Sequence, residues 1–190
     1  MLYEWSNAQR LHTLRAWGEE DELRFQSKSE SVTVKLNSDG FISHVLLYDG
    51  VEERKITDQD TKKVIVGDGI CEREVIHFLA PGGPSKRLRL GITHHKVAGG
   101  WSSLPHDFEL NTEPGFEEVF FHVLKGGTQR AAQFGRGVWC DGSEVDAVWP
   151  VSDRTFSTIP MGYHPVVGEP DVKVSYIWIY DCKYPRWEKI

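Results

Sequence analysis

The chain reads as an all-β protein, a sandwich or a barrel, on three observations. Short β-rich runs recur at fairly even spacing between Gly, Pro, Asn and Asp. Helical periodicity is confined to one short stretch. Aromatic residues are abundant, with seven Trp, nine Phe and six Tyr in 190 residues. Many short strands with turn signals and little helix need a two-sheet or closed-sheet core. The aromatic load suits such a core or a sugar-binding cleft, and composition alone does not choose.

The one helical candidate spans Asn7 to Trp17, where Leu11, Leu14 and Trp17 share a face. From there the signals are β. "SVTVKL", the turn "NSDG" and "FISHVLLYDG" form a predicted hairpin. "KKVIVGDGICEREVIHFL" holds two short runs around a Gly-Asp-Gly turn, and "APGGPSK" at 80–86 is a breaker-rich loop expected to mark an internal boundary. Beyond it follow "RLRLGITHHKV", "EEVFFHVL", "TQRAAQFG", "RTFSTIP" and "VKVSYIWIY".

Bulk properties narrow the function. A length of 190 residues fits one domain with or without an extension. A net charge of −6 gives no reason to expect nucleic acid or an anionic membrane as partner. There is no apolar run of about 20 residues to span a bilayer, and charge breaks the N-terminus too early for a secretory signal. Cys71, Cys140 and Cys182 are odd in number and lack a CxxC, so they read as reduced thiols of a cytoplasmic protein.

Strand alternation sorts side chains into rows. In "RLRLGITHH" Leu88, Leu90, Ile92 and His94 share one face, opposite Arg89, Thr93 and His95. With the aliphatic row taken as the core, His94 continues it inward, while His95 and His122 read as exposed. In "FEEVFFHVL" Glu117 travels with Val119 and Phe121, and Glu118 with Phe120 and His122. Both rows are apolar, so periodicity leaves open which glutamate points inward. In the last run Val172, Val174, Tyr176, Trp178 and Tyr180 form one row.

His106 and Asp107 after "WSSLP", Glu117 eleven residues on, and His164 in "MGYHPV" are the imidazoles and carboxylates that folded strands could bring to one point. Such a set suits zinc, manganese, iron or nickel. An isolated His164 could equally be a satisfied core histidine.

The ordered pieces "GGWSSLPHDFELNTEPGFEEVFFHVL", "TQR" and "IPMGYHPVVGEPDVKVSYIWIY" resemble the 5-deoxyglucuronate isomerase family, known as IolB and KduI, over roughly residues 70–190. The resemblance implies a cupin fold, an RmlC-like antiparallel β-barrel or jelly roll over residues 71–190. Residues 1–70 would form a β-rich extension packed on it. It also implies a divalent metal, zinc first, held by His106, Glu117 and His164. This chain has "PHDFE" where the family has two histidines one residue apart. Aligned on His-Asp, Leu104 takes the place of the first; aligned on Pro-His, Phe108 takes the place of the second. His94 is the candidate replacement, with a histidine packed at the barrel edge as the alternative.

For the remaining positions, Gln129 and Arg130 are candidates for sugar hydroxyls and a uronate carboxylate, which a guanidinium fork suits. Tyr163 is a candidate hydrogen-bonding group. Glu118 or Asp107 would move the proton. The resemblance thus implies a metal-dependent aldose–ketose isomerase of carbohydrate metabolism, in inositol catabolism, acting on a small sugar-acid substrate and open to forming a homodimer. The rival is a non-catalytic carbohydrate-binding module with a degenerate metal site.

Overall fold

The computed structural model describes residues 2–4, 12–13, 22–27, 29–102, 117–139 and 142–181. In chain order its strands are β1 (Leu2–Glu4), β2 (His12–Thr13), β3 (Glu22–Gln26), β4 (Ser31–Leu36), β5 (Ile42–Tyr48) and β6 (Glu53–Ile56). After these come β7 (Lys62–Val66), β8 (Arg73–Leu79), β9 (Leu88–His95), β10 (Glu117–Lys125) and β11 (Arg130–Val138). The last are β12 (Glu144–Ser152), β13 (Thr155–Ile159), β14 (Met161–Tyr163), β15 (Val166–Gly168) and β16 (Lys173–Asp181). Helix among the described residues is limited to two 3-10 turns, Asp58–Asp60 and Gly69–Cys71. None is long and apolar enough to cross a membrane.

Three sheets result, ordered β1-β3-β4-β5-β6, β2-β13-β10-β16-β9-β8-β7, and β12-β11-β14 with β15 also on β11. The all-β class and the antiparallel jelly-roll build are as expected, but the sheets face one another without closing into a continuous barrel. The first sheet ends with β6, and β7 already belongs to the second. Within Asn7–Trp17 the described pair His12–Thr13 is a strand on β13 rather than helix; the other positions of that stretch lie outside the described residues.

The seven-stranded sheet is a middle layer. Leu90, Ile92, Phe121, Val123, Ile177 and Ile179 on one face share a core with Leu23, Val34, Val45 and Leu47 of the first sheet. Phe120, Leu124, Tyr176 and Trp178 on the other face share a second core with Ala131, Val151, Met161 and Val166. β4 has one half-exposed face, so it alternates cleanly between buried and half-buried residues. β16 is buried at every position after Lys173, as a strand covered on both sides must be.

One carboxylate ties the first two layers together. Glu30, buried before β4, accepts hydrogen bonds from Ser85 Oγ at 2.8 Å, Lys86 N at 2.7 Å, Arg87 N at 2.9 Å and Leu88 N at 3.2 Å. The breaker loop 80–86 is therefore no boundary. It joins β8 to β9, which pair in one sheet, and it is pinned to the neighbouring one.

Burial pushes the Glu30 carboxyl up, but the donors from Lys86, Arg87, Ser85 and Leu88 outweigh it and hold the group below its ordinary 4.5. A depressed folded pKa stabilises the fold above pH 4.5, and that contribution is lost as pH falls through the folded value. Glu30→Gln turns an amide donor toward this cluster. We expect it to lower stability by about 2 kcal/mol in urea unfolding at pH 7 and to flatten the acid limb below pH 4.5. An unchanged midpoint would contradict the role given to Glu30.

Candidate functional site

The second core carries a polar cluster that the first lacks. β10 contributes alternate residues to it. Glu118 stands opposite Tyr180 and Ile159, Phe120 opposite Trp178 and Ser157, and His122 opposite Tyr176. The facing wall is the corner between β14 and β15. Gly162 opens this corner at φ 120°, and a Cβ there would meet the Arg136 carbonyl oxygen at 2.3 Å, so only glycine fits. The next turn of chain buries His164, whose Nε2 lies 3.7 Å from Glu118 Oε2. Its ring stands edge-on to Phe120 with centroids 5.8 Å apart.

Tyr176 stacks on Phe120 at 4.4 Å, with Thr93 and Ser102 beside its phenol. Thr93 Oγ1 also accepts from Trp178 Nε1 at 3.1 Å. Ser102 Oγ accepts from the Val166 amide at 2.8 Å, two residues beyond His164. The Trp178 indole lies against β9 because residue 91 is glycine: a Cβ would sit 2.3 Å from the ring and 2.4 Å from the Ile76 carbonyl.

Burial sets the electrostatics. It raises the Tyr176 phenol, helped by the Glu118 charge and opposed by Arg73, Thr93 and Ser102, so the phenol stays protonated. Burial lowers His122 to about 3. It also lowers His95 to about 4, with the bond to the Gly100 carbonyl opposing and Arg73 and His94 adding to it. Both imidazoles are neutral near pH 7. They were expected to be exposed; the structure buries them because the third sheet covers their face.

Of the residues singled out from sequence, His164 and Glu118 meet. His106 and Asp107 lie outside the described residues, as does the side chain of Glu117, whose backbone pairs with Asp181. His94 does not join the pair. Its row faces the first sheet, where the ring packs on Phe41 at 4.9 Å and Nδ1 meets Ser175 Oγ at 2.8 Å. Both rows of β9 are buried, so the aliphatic row marks one core and the site occupies the other. Gln129 and Arg130 are exposed beyond the far end of β10, roughly 20–25 Å of extended strand from Glu118. The hairpin turn carries them away from the pair. Tyr163 is half-buried opposite Arg136. Sequence reading passed over Gln133 and the roles of Thr93 and Ser102. The available signal for Gln133 was its place in a row of small residues, Ala131 and Gly135.

Two donors bonded to one ion at about 2.1 Å stand roughly 3.4 Å apart at a tetrahedral angle, so a 3.7 Å carboxylate–imidazole pair fits a zinc-like ion. Among the described residues no group of three or more His, Cys, Asp and Glu gathers at one point. A complete set therefore needs solvent or residues beyond those described.

The structure thus places a buried carboxylate–imidazole pair inside an antiparallel jelly roll, and comparison with known proteins assigns the chain to a family. Residues 23–190 match the KduI/IolB family, and the chain belongs to that family. A 5-deoxy-glucuronate isomerase of Bacillus subtilis (strain 168) is 34% identical over 109 residues, covering 55% of this chain and 39% of that protein. One from Geobacillus kaustophilus is 30% identical over 139 residues, covering 71% of this chain and 49% of that protein. The chain thus matches less than half the length of these relatives. An IolB-like protein from Salmonella typhimurium shares the fold at TM-score 0.60 and 20% identity, covering 84% of this chain and 64% of that one.

The buried neutral histidines make a pH prediction. Unfolded imidazoles protonate below their ordinary 6.5, while the folded ones resist until about 4 and about 3. Stability is therefore full above 6.5 and falls as pH drops below it. In His122→Leu the slope of unfolding free energy between pH 6.5 and 5 should decrease by about one proton. A slope equal to that of the parent would show that His122 is protonated in the fold.

Proposed function

We propose that the chain is a metal-dependent aldose–ketose isomerase acting on a sugar acid, like the 5-deoxy-glucuronate isomerases it resembles. The observation that carries this reading is the buried Glu118–His164 pair at 3.7 Å. Zinc is the first choice of ion, with manganese, iron and nickel as alternatives. Glu118 and His164 are its proposed ligands, with His106 as a further one.

Isomerisation moves one proton from C2 to C1 and one from the C2 hydroxyl to the C1 oxygen, through an enediol. When bound, a divalent ion lowers the barrier by polarising the carbonyl and the adjacent hydroxyl. The chain supplies the rest. Phe120, Tyr176 and Trp178 give the site apolar walls that limit water. The protonated Tyr176 phenol keeps a hydrogen-bond donor there at neutral pH. With Glu118 on the ion, Asp107 is the carboxylate left to carry the carbon-bound proton.

The second reading, a carbohydrate-binding module with a degenerate metal site, is favoured by the lack of a third donor among the described residues. Elemental analysis of protein purified without chelator separates the two, coupled to an assay with 5-deoxyglucuronate. We expect bound zinc, with affinity reduced at least tenfold, about 1.4 kcal/mol, in Glu118→Gln and in His164→Ala. His94→Ala should leave affinity within twofold of the parent. Absence of both metal and isomerisation supports the binding module. A parent protein that takes up no divalent ion contradicts the proposal.

A further inference from the structure

The His164–Pro165 corner interrupts a ladder. β14 pairs with residues 136–138 of β11, and β15 pairs with residues 131–133. The two residues between them are buried, yet neither belongs to a strand. Pro165 has no amide hydrogen to contribute, and buried carbonyls of a broken ladder are costly when left bare.

Gln133 closes this gap. It is fully buried on β11, and its Nε2 donates toward the His164 carbonyl at 2.8 Å, the Phe134 carbonyl at 3.0 Å and the Pro165 carbonyl at 3.1 Å. The Phe134 amide adds a bond to the Pro165 carbonyl at 2.8 Å. Three acceptors around one nitrogen fix the amide's orientation, since the flipped form would set an oxygen against three oxygens. These donors hold the backbone just C-terminal to the His164 Cα, and the pairing of Tyr163 with Arg136 holds it on the N-terminal side, so the ring turns mainly about its own side-chain torsions.

We infer that Gln133 is the positioning residue of the site: its side-chain amide sets the direction in which His164 presents Nε2 to Glu118. This rests on reading His164 as a metal ligand. Groups one bond removed from a ligand typically change metal affinity by 10–100-fold.

The test compares Gln133→Met, which keeps length but removes both donors, with Gln133→Glu, which sets a carboxylate against the carbonyls. His164→Ala serves as reference. Zinc affinity is measured by competition with a chromophoric chelator. The His164 ring resonances, assigned by their loss in His164→Ala, are measured in the metal-free protein. The expected result is at least tenfold weaker zinc binding in Gln133→Met, a further loss in Gln133→Glu, shifted His164 resonances, and retained far-ultraviolet circular dichroism.

Affinity within twofold of the parent in Gln133→Met, while His164→Ala loses zinc, overturns the inference. Should His164→Ala bind zinc as the parent does, the metal reading of His164 is what has failed. The inference is then judged on the metal-free resonances, where unchanged shifts in Gln133→Met overturn it and displaced shifts support it. Failure of both Gln133 variants to fold would make the residue a strut for the third sheet and also overturn it.

Discussion

The seven-stranded sheet is covered on both faces, so its central strands must divide every side chain between two cores. β10 shows the consequence. Val119, Phe121 and Val123 go to the first sheet, while Phe120 and Leu124 go to the third, with Glu118 and His122 among them. A polar group in such a sheet has no wet face to turn to and must find partners inside. The second core provides them in part: His164 Nε2 lies 3.7 Å from Glu118 Oε2, Ser157 bonds His122, and Thr93 and Ser102 flank the Tyr176 phenol. A one-residue slip of β10 would exchange the rows and break both cores at once. The register that packs the protein is therefore the register that places Glu118.

The opposite wall is irregular where this one is regular. Gly162 permits a backbone angle that other residues rarely adopt, Pro165 ends the pairing, and Gln133 satisfies the carbonyls exposed by the break. His164 thus sits on a corner rather than within a strand, which lets its ring reach across the core toward Glu118. A residue within β11 would be confined to the strand's alternation. The Ser102 hydroxyl, which accepts from the Val166 amide and lies beside the Tyr176 phenol, links this corner back to the middle sheet.

Much of the fold was legible in the sequence. The β4–β5 hairpin around "NSDG", the β7–β8 pair around Gly-Asp-Gly, and the rows of β9, β10 and β16 all follow from alternation and turn chemistry. Alternation says which residues travel together, but it cannot say which of two buried faces holds a site. That is why the aliphatic row of β9 led toward His94, and why His95 and His122 read as exposed. β12 escaped notice because most of its residues are exposed and Pro150 lies within it, as edge strands allow. Gln129 and Arg130 looked suitable by chemistry, but Gln129 in the β10–β11 turn and Arg130 at the start of β11 lie at the other end of the strand from Glu118. His164 was legible from the Gly-Tyr-His-Pro run, whereas Gln133 has no local signal beyond its neighbours' small size.

The central proposal is that a divalent ion binds on the face of the middle sheet that carries Glu118, turned away from the first sheet. Anomalous diffraction at the zinc edge from crystals soaked in zinc tests it most directly. The account predicts a peak between Glu118 Oε2 and His164 Nε2, about 2.1 Å from each. A zinc peak on the opposite face, beside His94 and Phe41, with none at the Glu118–His164 pair, would contradict it.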